Sequence, residues 1–444
     1  MIENMKPSNL CDVTLPAGWE CARFRKLFSF GKGLSITKED LVDEGVPVIS
    51  YGQVHSKANT GTAIHESLIR FVPESYLKTD KQALTQEGNF IFADTSEDLS
   101  GVGNCAFVNT TETLFAGYHS IIARPKDTNM YPKYFAYLFL TDIWRDQIRA
   151  KVMGVKVFSI SQKLLRDTTV FIPPILEQKA IANLLDTKCA KIDSVIADIE
   201  EQIETLQKYK KSLITETVTK GLDQSVLMKD SGIDWIGKIP SHWRVIRITK
   251  YLDSLVDYRG KTPEKVDDGV FLVTARNIKN GIVDYSLSQE YVAAEEYEQI
   301  MHRGKPEIGD VLFTTEAPLG EVANVDRTDI ALAQRVIKFR GRKGCVDNYY
   351  LKYWLMSLGF QSFLWSLATG STALGIAASK LGQLKMVLPP IDEQKAIAER
   401  LDCDCTTIDA IIVEKRKQLE TAQQYKKSLI YEYVTGKKRV AEVN

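Results

Sequence analysis

Pro173–Lys220 reads PPILEQKAIANLLDTKCAKIDSVIADIEEQIETLQKYKKSLITETVTK, and Pro389–Gly436 reads PPIDEQKAIAERLDCDCTTIDAIIVEKRKQLETAQQYKKSLIYEYVTG. The two segments align without a gap at an offset of 216, and 28 of their 48 positions are identical. That is an internal repeat, and it makes the chain two copies of one plan. Each Pro-Pro pair blocks helix before it and suits a first turn. Glu177 and Glu393 follow, where the amino-terminal dipole favours a carboxylate. Leu185, Cys189, Ile192, Ile196, Ile199, Ile203, Leu206 and Leu213 then run at alternating four- and three-residue steps, interrupted only by Lys210. The second copy gives Leu401, Cys405, Ile408, Ile412, Lys415, Leu419, Ala422, Lys426 and Leu429. This is a heptad seam. About 40 residues at 1.5 Å each make a rod of roughly 60 Å. A two-faced helix of this length must bury its stripe. The expected partner is its own duplicate, in an antiparallel intramolecular coiled coil. Packing of each helix on its own globular part is the plainer alternative. Lys415 and Lys426 are expected to weaken the second seam or to mark where it opens to another protein.

Working outward, a weaker echo opens each half. Leu15-Pro16-x-x-Trp19 recurs as Ile239-Pro240-x-x-Trp243 at an offset of 224, each followed by a basic, apolar-alternating run. The plan is therefore a globular domain and then a helical spacer, twice: 1–172, 173–220, 221–388 and 389–436, with a polar tail at 437–444. Residues 221–240 form the linker that opens the third of these. Two copies imply internal pseudo-twofold symmetry. Short apolar runs such as Val46–Ser50, Asn89–Ala93 and Ser120–Ala123 read as strands. So do Val270–Thr274, Asp310–Thr315 and Arg335–Phe339 in the second half. Aromatic-rich helical stretches follow at Pro132–Ala150 and Asp347–Ala368. The fold class read from this is two α/β (α+β) domains joined by long helices.

Composition narrows the function. The 444 residues are 44% hydrophobic and 26% charged, enough to fill more than one core. Lys plus Arg and Asp plus Glu are both 57, a net charge of zero that excludes a polycation. Seven scattered Cys are not a disulfide framework, and the five His are not spaced as ligands. No signal-peptide layout opens the chain and no apolar run spans a bilayer. The expectation is a cytoplasmic protein with no membrane partner, no metal and no cofactor of its own.

No catalytic constellation appears. There is no phosphate-binding GxxxxGK[ST], no Asp/Asn-Pro-Pro-Tyr/Phe or Pro-Cys for base methylation, and Asp310 with Glu316 lacks the x-Lys of a metal nuclease. What remains is a set of polar and basic residues in apparent loops. In the first domain these are Lys32, Tyr51, Gln53, His55, Lys57, Thr95, Ser96, His119 and Lys156. In the second they are Arg259, Lys261, Arg276, Asn277, Lys279, Thr314, Thr315, Gln334 and Arg335. Arg pairs with guanine, Gln and Asn with adenine, and Thr, Ser and Lys with phosphate oxygens. Both sets occupy matching positions in the duplicated plan, which points to DNA binding by two heads.

These residues bring out a resemblance over nearly the whole chain. The sequence resembles the DNA-specificity subunits of type I restriction–modification systems. Its marks are Pro173-Pro-Ile-x-Glu-Gln-Lys-Ala-Ile-Ala182 and its copy Pro389–Ala398, and Tyr209-Lys-Lys-Ser-Leu-Ile214 and its copy Tyr425–Ile430. Trp235-Ile-Gly-x-Ile-Pro-x-x-Trp243 and Gly309-Asp-Val-Leu with Gly320 also fit, whereas Gly88-Asn89 departs from the usual Gly-Asp. The resemblance implies a non-catalytic subunit of an ATP-dependent endonuclease and adenine methyltransferase. It implies that each domain reads one half of a split double-stranded DNA site. The paired helices would set the spacing and dock two modification subunits, and two restriction subunits would complete the assembly. Methyl donor, ATP and Mg would belong to those partners. The reading from another class is a coiled-coil scaffold with two peptide-binding heads.

Overall fold

The computed structural model describes residues 15–127, 129–154, 156–260, 263–370 and 374–440. The repeated segments are continuous helices, Ile175–Lys220 and Ile391–Val434. Among the described residues no helix is long and apolar enough to cross a membrane. The chain divides into two compact units, 1–198 with 418–444, and 199–417. The divisions fall in the middle of each long helix, not at its ends. Each unit therefore holds one globular head, the first part of one long helix and the last part of the other.

In the first unit four antiparallel strands run in the order Phe28–Lys32, Ser120–Pro125, Phe90–Ala93, Cys105–Phe107. A second sheet orders Arg70–Val72, Val46–Ile49, Leu114–Ala116 and Leu84–Thr85, with its two middle strands parallel. Glu20–Arg23 pairs with Thr169–Ile172 and closes the head just before its long helix. The core is aromatic: Phe24, Phe28, Phe90, Phe92, Phe139 and Trp144 pack mostly edge to face. Such rings each bury about 150–250 Å² and gain further from edge-to-face geometry.

The second unit repeats the plan. Leu252–Asp257, Val336–Gly341, Val311–Thr315 and Leu319–Asn324 form the antiparallel sheet. Tyr291–Val292, Val270–Val273 and Ile330–Leu332 form the second, again with one parallel pair. Arg244–Arg247 pairs with Lys385–Leu388 before the second long helix.

The repeat in sequence is also a repeat of contacts, and these explain why both ends of the helical segment recur. At the start, Trp19 Nε1 donates to Glu177 at 3.0 Å, and Trp243 Nε1 donates to Glu393 at 2.8 Å. Gln178 and Gln394 each accept a backbone N–H, from Tyr131 and Asp347, both at 2.9 Å. Tyr137 donates to Asp186 at 2.6 Å and Tyr353 to Asp402 at 2.5 Å. Burial, and then the carboxylate beside it, pushes both phenols up. At the far end the partners cross over. Tyr134 donates to the Val434 carbonyl at 3.0 Å, and Tyr350 to the Val218 carbonyl at 3.2 Å. The final turns, Leu429–Val434 in one unit and Ile214 with Val218 in the other, are part of the head cores.

The expected antiparallel pairing is present within each unit. In the first, Asp193 pairs with Lys426, and Glu177 meets Arg439 just past the end of the second helix. In the second, Lys210 pairs with Asp409, while Val218 clusters with Leu401 and Ile397. Packing on the heads, set out as the alternative, is real as well: each helix starts on its own head and ends on the other. The seam positions are turned inward to differing degrees. Leu185, Ile199, Leu401, Ile408, Ile412 and Leu429 are buried, and Ile192, Ile196, Ile203, Leu206, Leu213 and Leu419 are half-buried. Lys426 does not open the seam. It bonds both oxygens of Asp193, at 2.6 and 2.7 Å, and Lys210 with Asp409 is the same pair one copy earlier. The two partly exposed pairs sit at the same register of the antiparallel pairing.

Candidate nucleic-acid interface

The candidate surface lies where the two sheets of each head meet. In the first head, Tyr51 sits on the short helix Tyr51–Val54, and its ring touches His55, Tyr118 and His119 edge on. Burial and the neighbouring Tyr51 push the Tyr118 phenol up. His119 has φ 52, a left-handed conformation rare for a residue with a side chain. It closes the turn into Ser120–Pro125 and meets Asp94 at 3.1 Å. His119, Asp94 and Lys32 line an open cleft of about 590 Å³ with Ser35, Ser161 and Lys163. Thr95 follows Asp94 on a strand that pairs with Phe158–Ser159. Lys57 and Lys156 are exposed. The structure thus gathers Lys32, Tyr51, His55, Thr95 and His119 into one region.

Two candidates in that head are occupied by the fold. Gln53 Oε1 accepts from the Ser50 amide at 3.1 Å and so caps its short helix. His55 donates from Nε2 to the Thr95 carbonyl at 2.7 Å and accepts at Nδ1 from Asn104 at 3.2 Å. Ser96 is a correction: it is buried, its hydroxyl donating to the Asp98 carbonyl at 2.7 Å.

The second head corrects three more. Asn277 is fully buried. Its Oδ1 accepts from the Thr274 amide and hydroxyl, both at 2.9 Å, and its Nδ2 donates to the carbonyls of Asp284 and Ser288. With every donor and acceptor filled it has nothing to offer a base. Thr314 and Thr315 are also buried. Thr314 accepts from the Glu321 amide at 2.9 Å, and Thr315 donates to the Arg335 carbonyl at 3.3 Å. Arg259 is locked by a fork of bonds to Asp257, which hold its guanidinium above the ordinary value, and by a bond to the Ile376 carbonyl. Lys261 lies outside the described residues, as do Thr262, Ser371 and Thr372. Arg276 and Lys279 are exposed. Gln334 is half-buried and lines a cleft of about 310 Å³ with Tyr258, His302 and Arg303. Arg335 is about half exposed and meets Glu316 at 2.7 Å.

The matching positions noted in the sequence now have a cause. Ser50 and Gln53 correspond to Thr274 and Asn277, and in each pair the amide side chain closes the same turn. That match is architecture. His119 corresponds to Arg335 at the usual offset of 216, and both remain at the surface beside an acid. Asp94 and Glu316 were visible only as parts of polar loops, because their pairing depends on which strand ends meet.

A profile of the type I restriction modification DNA specificity domain matches residues 16–205 and 240–421. The type I restriction enzyme MjaVIII specificity subunit of Methanocaldococcus jannaschii is 30% identical over 308 residues, 67% of this chain and 68% of that protein. The putative type I restriction enzyme MjaX specificity subunit of the same organism is 26% identical, with 99% and 97% covered. The EcoKI specificity subunit of Escherichia coli is 22% identical, with 87% and 82% covered. A chain from a structure concerned with complex assembly and conformational transition of the type I R-M system superposes with a TM-score of 0.69. It covers 95% of this chain and 98% of that one at 16% identity, a likeness of fold. Two matched domains, one per head, together with these relatives establish that the chain belongs to the DNA-specificity subunits of type I restriction–modification systems.

Proposed function

We propose that each head reads one half of a split DNA site and that the long helices set the distance between the halves. The observation that carries this is the crossed seating of the heads. Two heads of different surface rest on the same set of contacts, Trp–Glu, Tyr–Asp and Tyr–carbonyl, each made once per unit. Variable surface on a constant seat is what a pair of independent readers needs. The subunit itself does no chemistry in this reading.

Two modification subunits dock on the helices, and two restriction subunits complete an ATP-dependent complex whose methyl donor, ATP and Mg the partners hold. Exposed apolar side chains at duplicated positions support the docking. Val195 and Tyr425 stand out on the helix pair of the first unit, and Ile411 and Tyr209 on that of the second. The Asp193–Lys426 and Lys210–Asp409 registers bring each aliphatic side chain within about one residue of level with its tyrosine. A net charge of zero fits a subunit whose partners share the grip on the duplex.

Exchange of residues 1–172 for the matching head of a relative tests the reading. In the assembled modification complex, sequencing of methylated DNA is expected to show one altered half-site, with the other half and the spacer unchanged. Alteration of both halves sinks it.

A further inference from the structure

Ser120–Pro125 and Val336–Gly341 hold the same place in the two heads. The residue leading into each is His119 in one and Arg335 in the other. The strand pairing around them is alike, although His119 has φ 52 and Arg335 does not take a left-handed φ. The His119 carbonyl accepts from the Asp94 amide at 3.1 Å, and the Arg335 carbonyl from the Thr315 amide at 2.9 Å. In both, an acid at the end of the neighbouring strand backs the side chain. His119 Nδ1 lies 3.1 Å from Asp94 Oδ1, and Arg335 Nε lies 2.7 Å from Glu316 Oε1. The acid sits one residue further along in the second head. The side chains of His119 and Arg335 are 58% and 48% exposed. Exposed pairs add little stability. Stability therefore does not account for the same device at one position in two heads whose surfaces otherwise differ.

Resting on the half-site reading above, we propose that Arg335 and His119 are corresponding base-reading residues of the two heads. Glu316 and Asp94 are the positioning residues that hold them. Glu316 takes the Nε side of the guanidinium, and the outer donors of Arg335 meet O6 and N7 of a guanine, the paired acceptors of the major groove. Asp94 accepts from His119 Nδ1–H, which leaves Nε2 as the outward nitrogen, and in the neutral imidazole that nitrogen carries a free lone pair. That nitrogen accepts from a base amino group, N4 of cytosine or N6 of adenine. One pattern of strand pairing thereby asks for different chemistry in the two half-sites.

The test uses the assembled modification complex on a randomised DNA library, with methylated products sequenced. The half belonging to the second head is assigned by exchanging residues 1–172. Wild-type complex is expected to require a guanine at one position of that half. Arg335→Gln loses preference there by about tenfold to hundredfold and leaves every other position alone. Arg335→Lys keeps the charge without the fork and loses the same preference. Glu316→Gln gives a smaller loss at the same position, the mark of a positioning role. His119→Phe relaxes one position of the opposite half. If Arg335→Lys behaves as wild type while Arg335→Gln weakens all sequences alike, Arg335 is a phosphate contact and the proposal is overturned. A half-site with no required guanine overturns it too, with the half-site reading intact. Methylation at no defined split site overturns both.

Discussion

Leu185→Ala probes the crossed construction most directly. Leu185 is fully buried in the first head's core, in one cluster with Leu429, Ile430, Tyr433 and Val434. Those four residues are more than 240 positions away in sequence and lie on the other long helix. Removing a buried leucine side chain costs about 2–5 kcal/mol, transfer and cavity together. The ion pair that joins the same two helix segments, Asp193 with Lys426, is partly exposed and is worth about 0–1 kcal/mol, so it does not compensate. At about 3 kcal/mol the opening equilibrium rises about 150-fold. Hydrogen exchange read by mass spectrometry should therefore show faster exchange of the slow amides in the first head and in Leu429–Val434. Ile203–Val218, on the same helix as the substitution but in the second unit, should keep its protection. Val195→Ala, on the exposed face of that helix, should change little. Loss of protection along the whole of Ile175–Lys220, with Leu429–Val434 unaffected, would refute the crossed seating.

Three further outcomes follow from the second head and the rods. Asn277→Ala should destabilise the head by about 1–3 kcal/mol through lost turn bonds, measured by denaturant unfolding, while the methylated motif stays the same. Asp310→Asn should cost about 3–5 kcal/mol, because Lys338 beside it is equally buried and loses its counter-charge. Burial raises the Asp310 carboxyl, but bonds from Arg340 and the Glu307 amide and the charges of Lys338 and Arg340 outweigh it and hold the group below its ordinary value. Its contribution is thus present above the usual carboxylate range and lost as pH falls through the depressed value, so the variant should show a flatter acid limb in stability against pH. Matched insertion of one heptad after Ile199 and at the corresponding site of the second helix should lengthen the spacer between half-sites, read by sequencing methylated DNA. Insertion in one helix alone should impair assembly, seen as loss of the complex by size-exclusion chromatography.

The long helices were legible because a seam of period 3.5 is a local pattern, written twice. Their crossed seating was not. Tyr134 with Val434, and Tyr350 with Val218, are contacts between segments that no periodicity links. The strands were legible as short apolar runs, yet whether a polar residue at a strand end faces water or a turn depends on the neighbouring strand. Thr314 and Thr315 end a run that reads as a strand but group by type with the polar loop residues, and both are buried inside the sheet. The Gly88-Asn89 departure also resolves locally. Asn89 accepts from the Gln86 amide as Asp310 does from the Glu307 amide, after glycines with φ 87 and 85. A neutral acceptor suffices in the first head. The second head uses a charge because Lys338 and Arg340 face it, whereas the first places Ile122 where Lys338 stands.

Matched positions in a duplicated protein therefore carry two opposite meanings, and chemistry separates them. Where both copies do the same job with like residues, as Ser50 with Gln53 and Thr274 with Asn277 do, the match preserves a turn. The amide oxygens of Gln53 and Asn277 are consumed by the backbone amides they hold. Two readers of different half-sites must share such positions, because the frame is common to both. They must differ where they touch the base. His119 with Asp94 and Arg335 with Glu316 meet that second condition: the backbone bond is kept, the side chains stay exposed, and the outward face changes from a single acceptor nitrogen to a fork of donors. A duplicated position that keeps its frame and changes its hydrogen-bonding face is where specificity can diverge without disturbing the fold.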